Sequence, residues 1–225
     1  VDMGSGARRY IGLDIHKEYF VAVGVNAERE LIYGPRRVSN YQLDEWMQRQ
    51  LTNEDAVVLE MTTNAYAFYD SLLPHVHSVT VVHPASVALV TRAQVKTDQK
   101  AAQALAELHA VGMLKGVWIP PQQVRDQRAL IAQREKMVRL STIAKNRLHA
   151  LLHRRHWVIG GNAFSPEQRG WWESLPLTET ERALVSCDLD TLEFAERQAA
   201  ELEKQIKQQS LQDERLPFLI QLPGV

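Results

Sequence analysis

The chain reads as an α/β protein, a mixed sheet with helices on its faces followed by a long helical arm. Three observations predict this. Residues 10–38 hold three runs rich in Val, Ile and Tyr, separated by Lys17-Glu18 and Asn26-Ala27-Glu28, the pattern of an antiparallel meander. Residues 40–91 then alternate helix-like and strand-like stretches, which adds parallel strands with helices packed over them. Beyond residue 121, apolar residues recur at steps of three and four over two long stretches.

The elements follow in order. Strands are expected at 10–15, 19–26 and 30–38. Asn40 is expected to cap a helix that runs through Gln50. A strand covers 56–60, a helix follows to about Leu73, and residues 78–83 form another strand, ended by Pro84. Helices are expected at 84–91 and 99–113, and Trp118-Ile119-Pro120-Pro121 closes the domain with a rigid turn. Met137, Leu140, Ala144, Leu148 and Leu151 make one helical stripe, and Leu192, Ala195, Ala199, Leu202 and Ile206 make a second. These two helices zip as a hairpin or pair partly with a second subunit. Residues 157–177, with Trp171-Trp172, are too irregular to assign. Three hairpin strands followed by strand-helix-strand units match the ribonuclease H-like order.

Composition excludes several classes. No run of eighteen apolar residues exists, so no membrane span is expected. The first residues lack the basic start and apolar centre of a secretory signal, which points to the cytoplasm. Cys187 is the single cysteine, so it forms no internal disulfide or cysteine metal cluster; a lone thiol is expected in the core, and it receives no role. The net charge of −1 hides an uneven distribution. Residues 125–155 carry nine Lys or Arg against Asp126 and Glu135, whereas acids dominate residues 173–203. The candidate nucleic-acid contacts are Lys96, Arg125, Arg128, Lys145, Arg147, Arg154 and Arg155, because clustered cations displace counterions from a phosphate backbone.

Three carboxylates carry the chemistry. Asp14 ends the apolar run Tyr-Ile-Gly-Leu-Asp, Glu60 ends Ala-Val-Val-Leu-Glu, and Asp98 opens a helix in Lys-Thr-Asp-Gln-Lys-Ala-Ala. Each has a local alternative: a turn cap for Asp14, an arginine partner for Glu60, the N-cap for Asp98. An unpaired charge at the end of a buried strand is costly, however, which weakens that alternative for Glu60. Neighbouring first and fourth strands would bring Asp14 and Glu60 within one strand spacing, and a helix packed beside them would add Asp98. Oxygen donors gathered this way suit hard divalent cations.

The segments Tyr-Ile-Gly-Leu-Asp-Ile-His-Lys, Leu-Glu-Met-Thr-Thr-Asn-Ala, Val-His-Pro-Ala-Ser-Val and Lys-Thr-Asp followed by Ala-Gln-Ala-Leu-Ala-Glu-Leu resemble the DEDD transposases of bacterial insertion elements, which include the Piv and MooV invertases. The resemblance spans residues 10 to about 155. It implies a RuvC-like catalytic domain in which Asp14, Glu60 and Asp98 bind Mg2+ (or Mn2+), two ions in an intact site. It also implies DNA as substrate, a structured guide RNA, and a homodimer or tetramer built through the arm. The family's fourth acid is replaced by Ala101, three residues after Asp98 and therefore on the same helix face. The expected divisions are residues 1–9 as a tag remnant, 10–121 as the catalytic domain, 122–215 as a coiled-coil arm, and 216–225 as the opening of a truncated second domain that would supply a serine nucleophile. Neither Ser141 nor Ser165 matches that serine motif. With the fourth acid replaced and that domain missing, the fragment is expected to be inactive, and Ala101 reads as an introduced substitution rather than decay.

Other functions fit less well. Actin-like and sugar-kinase ATPases share the sheet order but place glycine after the first Asp, where this chain has Ile15-His16-Lys17-Glu18. His149, His153 and His156 stand among arginines, with no acid to complete a zinc site. Two alternatives remain open: a junction resolvase or ribonuclease H-type nuclease using metal-activated water, and a catalytically dead nucleic-acid-binding assembly module.

Overall fold

The computed structural model describes residues 7–91, 97–158 and 160–211, together with 213, 218 and 221. Packing divides the chain into two compact units, Val1–Ile119 and Pro120–Val225.

In the first unit, β1 (Arg9–Ile15), β2 (Tyr19–Val25) and β3 (Leu31–Ser39) form the antiparallel meander, while β4 (Asp55–Glu60) and β5 (Ser78–Val82) add parallel to it. The strand order β3-β2-β1-β4-β5 is the ribonuclease H-like arrangement read from the sequence. Alternation along the strands sends Ile11, Leu13, Ile15, Phe20, Val57 and Leu59 to one face. There they meet Trp46 and Met47 of α1 (Leu43–Gln50) and Phe68 and Leu72 of α2 (Ala65–Leu72). The other face packs on α3 (Pro84–Thr91) and α4 (Asp98–Ala110): Val58 and Val82 meet Val87 and Leu105, and Val21 and Val23 meet Ala102.

β1 and β4 run side by side with Arg9 opposite Asp55 and Leu13 opposite Leu59. Asp55 is fully buried, and Arg9 forks onto it with two contacts of 2.6 Å. A desolvated carboxylate is tolerable there only because both oxygens are engaged, with the Thr52 N–H donating a third bond at 2.7 Å.

Two local expectations are corrected. Asn40 does not cap a helix; a 3-10 turn, Asn40–Gln42, precedes α1, and the Asn40 amide instead donates to the carbonyls of His16 and Lys17, each at 3.0 Å. Cys187 is exposed rather than in the core.

The second unit is built on α5 (Gln122–Arg154) and α7 (Glu179–Ser210), which pack along their lengths through Met137, Ala144, Leu148, Leu192 and Ala195. Their ion pairs, from Arg134–Glu203 to Arg155–Glu181, climb one helix as they descend the other, so the two are antiparallel. The connection left unassigned by the sequence holds α6 (Arg169–Ser174), whose Trp172 is almost fully buried and donates its indole N–H to the Ala163 carbonyl at 2.8 Å. Leu148, Leu152, Leu175 and Val185 complete that cluster, so Trp172 is a packing residue.

Candidate metal centre

The site is assembled by the face of the sheet that carries α4. Asp14 and Glu60 each follow a leucine of the facing pair Leu13–Leu59, so both acids end adjacent parallel strands on the face opposite the main core. α4 reaches this edge because Gly12 has no side chain: a Cβ there would lie 2.0 Å from the Ala102 carbonyl oxygen and 2.7 Å from the Ala106 nitrogen. The helix N-cap is Thr97, whose hydroxyl accepts the Lys100 N–H at 3.3 Å. Capping is thereby discharged by Thr97, and Asp98, the first helical residue, points its carboxylate at the sheet edge.

Asp14, His16 and Asp98 each offer a ligand atom within 4.8 Å of the others, and this is the group of three metal-competent side chains found among the described residues. His16 Nε2 lies 3.3 Å from Asp14 Oδ2 and 3.5 Å from Asp98 Oδ2. Neither contact has hydrogen-bond geometry, and Nε2 is a buried atom without a hydrogen-bond partner. The side chains remain 24%, 36% and 43% exposed for Asp14, His16 and Asp98, which leaves the group open to an incoming ion or strand. Glu60 stands beside Asp14 in the register, opposite Val82 of β5, but its carboxylate is not within that 4.8 Å group. Ala101, one turn beyond Asp98, donates its N–H to the Thr97 carbonyl at 2.9 Å and brings no oxygen donor from its side chain.

His16 and Tyr19 are the residues that sequence reasoning passed over. The spacing Asp-Ile-His, two residues apart at a strand end, was the available signal, since such positions share a face. The His16 carbonyl is held by the amides of Asn40 at 3.0 Å and Asn64 at 3.3 Å, and its N–H donates to the Tyr19 carbonyl at 2.8 Å. Its ring stacks on that of Tyr19 with centroids 4.6 Å apart. The Tyr19 hydroxyl donates to Asp98 Oδ2 at 2.9 Å; this bond is the first cause of a phenol pKa raised above its ordinary value, with burial second.

A family model described as a transposase, that of the IS110-type DEDD transposases, matches residues 11–156, more than half of the chain. The chain belongs to the DEDD transposase family. No curated protein matches it. Membership makes this a DNA-recombining protein of a family that uses divalent metal. No described helix is long and apolar enough to cross a membrane.

The basic positions of this transposase fall into distinct environments. Lys145 pairs with Glu196 at 2.7 Å, Arg147 with Asp188 at 3.4 Å, and Arg155 forks onto Glu181 at 2.6 and 3.1 Å. Arg128 and Arg154 are exposed and Arg125 is half-buried, while Lys96 lies outside the described residues. The acid-rich α7 thus pairs with three of the candidate nucleic-acid contacts, whose side chains stay partly exposed. A cavity of about 610 Å³ in the same unit is lined by His149, His153, His156 and Phe164, with no carboxylate in its wall, so it does not resemble a site for a hard cation.

Proposed function

We propose that this chain carries the metal-dependent strand-cleavage centre of a DEDD transposase, with Asp14, Glu60 and Asp98 as carboxylate ligands and His16 as an additional donor. The observation that carries this reading is the convergence of Asp14 and Asp98 on a buried nitrogen of His16 that makes no hydrogen bond. Carboxylate oxygens with one imidazole suit Mg2+ or Mn2+, and the imidazole favours the latter. Two carboxylates this close repel one another unless a cation lies between them, so the donor set fits such an ion.

A bound divalent ion would polarise the scissile phosphate and stabilise the departing oxygen. The chain's own residues supply the rest. Asp14 is fixed by β1, His16 by the amides of Asn40 and Asn64, and Asp98 by the Tyr19 hydroxyl, so the donors are held in place before an ion arrives. Glu60, which ends the neighbouring strand β4 on the same face, is the third carboxylate of this reading. DNA backbone contacts come from the exposed basic residues, Arg128 and Arg154 among them, and a structured guide RNA and self-association through the helical unit belong to the same reading. A cytoplasmic location accompanies it.

Titration calorimetry with Mn2+ tests the centre. Asp14→Asn, Asp98→Asn and His16→Gln are each expected to weaken binding roughly tenfold or more. Unchanged affinity in both aspartate variants overturns the reading. A non-catalytic nucleic-acid-binding module is the second reading, favoured by Ala101 in place of the family's fourth acid.

A further inference from the structure

Arg37 lies on the exposed outer part of β3, opposite Val21, on the sheet face that carries the carboxylates. Its guanidinium carbon sits 3.6 Å from the centre of the Tyr19 ring, within stacking distance. Among the described residues no acid forms a salt bridge with it. A guanidinium stacked this way spends its π-face on the aromatic ring and keeps its N–H edges free, in a planar fork that matches two oxygens of a phosphate. Tyr19 in turn binds Asp98 through its hydroxyl, so the free fork stands one aromatic ring away from the metal-competent group.

We infer that Arg37 is a phosphate-binding residue of this centre, holding a backbone phosphate of the DNA strand beside the Asp14, His16 and Asp98 group. The inference rests on the proposed metal centre for its meaning and on the Arg37–Tyr19 stack for its geometry. A strand approaching the two carboxylates of Asp14 and Asp98 meets repulsion, and a fixed cation at the edge of the group offsets it. The Tyr19 ring holds that cation in place, which lowers the ordering cost that a free arginine side chain would bear.

The test uses the whole chain with fluorescein-labelled single-stranded DNA of mixed sequence, read by anisotropy over a range of salt in the presence of Mn2+. Arg37→Ala is expected to weaken binding several-fold and to reduce the salt slope by about one phosphate contact. Arg37→Lys keeps the slope but recovers only part of the affinity. Tyr19→Leu, which removes the stack together with the hydroxyl bond to Asp98, is expected to weaken DNA binding at least as much as Arg37→Ala does. Mn2+ affinity by calorimetry stays within about twofold in Arg37→Ala. If the unsubstituted chain binds DNA but not Mn2+, the metal reading fails while the phosphate contact stands on its own slope. Wild-type affinity and slope in Arg37→Ala overturn the inference, as does a loss confined to an RNA oligonucleotide of the same sequence. Parallel loss of Mn2+ and DNA binding also overturns it, because Arg37 would then be a prop of the pocket.

Discussion

Gly12 of β1 and Ala102 of α4 approach so closely that a methyl group added to Gly12 would lie 2.0 Å from the Ala102 carbonyl oxygen. The obstructing atoms are helix backbone, which has no rotamer to change, so the helix itself must lift from the sheet. Gly12→Ala is therefore expected to cost about 1–3 kcal/mol or more by overpacking. It should also draw Asp98 away from Asp14 and weaken Mn2+ binding. Denaturant unfolding and calorimetry check the pair of effects; a variant that loses stability with metal affinity intact would separate the packing from the centre.

Ala101→Asp restores an acid one helical turn from Asp98. It is expected to raise the number of Mn2+ ions bound from one to two, read as the stoichiometry in calorimetry. If neither stoichiometry nor affinity changes, the second reading, a non-catalytic binder, gains at the expense of the first.

Arg9→Ala leaves Asp55 fully buried without its cation. Removing one partner of a buried pair costs about 3–5 kcal/mol, so a large fall in the denaturation midpoint is expected. Replacing both residues by apolar ones of similar size should recover much of that loss. A small effect of Arg9→Ala alone would mean that Asp55 finds other compensation.

Two groups contribute to the acid side of the stability profile. Burial lowers the His109 pKa from 6.5 to about 4, so between those values the unfolded chain takes up a proton that the folded chain refuses. Stability should fall by an amount on the order of 2–3 kcal/mol as pH drops from about 6.5 to 4, and His109→Gln should flatten that limb. Glu181 is lowered from 4.5 to about 2, first by the Arg155 side chain and then by the backbone N–H of Thr178. Its contribution is complete above 4.5 and lost as pH falls toward 2. Thermal melts between pH 2 and 7 read both.

The Thr178–Glu181 capping box starts α7. Thr178→Ala is expected to cost about 1 kcal/mol, because the Glu181 N–H loses its acceptor at 3.2 Å. Urea unfolding followed by circular dichroism measures it, and no change in midpoint would contradict the assignment.

Much of the first unit was legible because its strands alternate and its helices are bounded by proline, Thr97 or polar turns. Asp14 and Asp98 could be read from position alone, since each ends or opens an element at one sheet edge. His16 could not be weighed without coordinates: its part depends on Asn40 and Asn64, which lie 24 and 48 residues away. The arm's two helices were visible as stripes, yet the fate of Lys145, Arg147 and Arg155 was hidden, because their acidic partners come from the far side of the hairpin. Trp172 escaped assignment for a related reason. Its short helix is shaped by burial against α5 and α7 rather than by local periodicity.

The Arg9–Asp55 fork joins β1 and β4 at the end opposite the metal-competent group, and β-strands are stiff enough for that distant joint to act as a gauge. Sliding one strand by a single residue would part the fork and turn either Asp14 or Glu60 toward the apolar layer of Leu13 and Leu59. The spacing of the two acids is thus measured out from the far end of their strands, so a change near Arg9 can misalign the proposed centre at the other rim of the sheet.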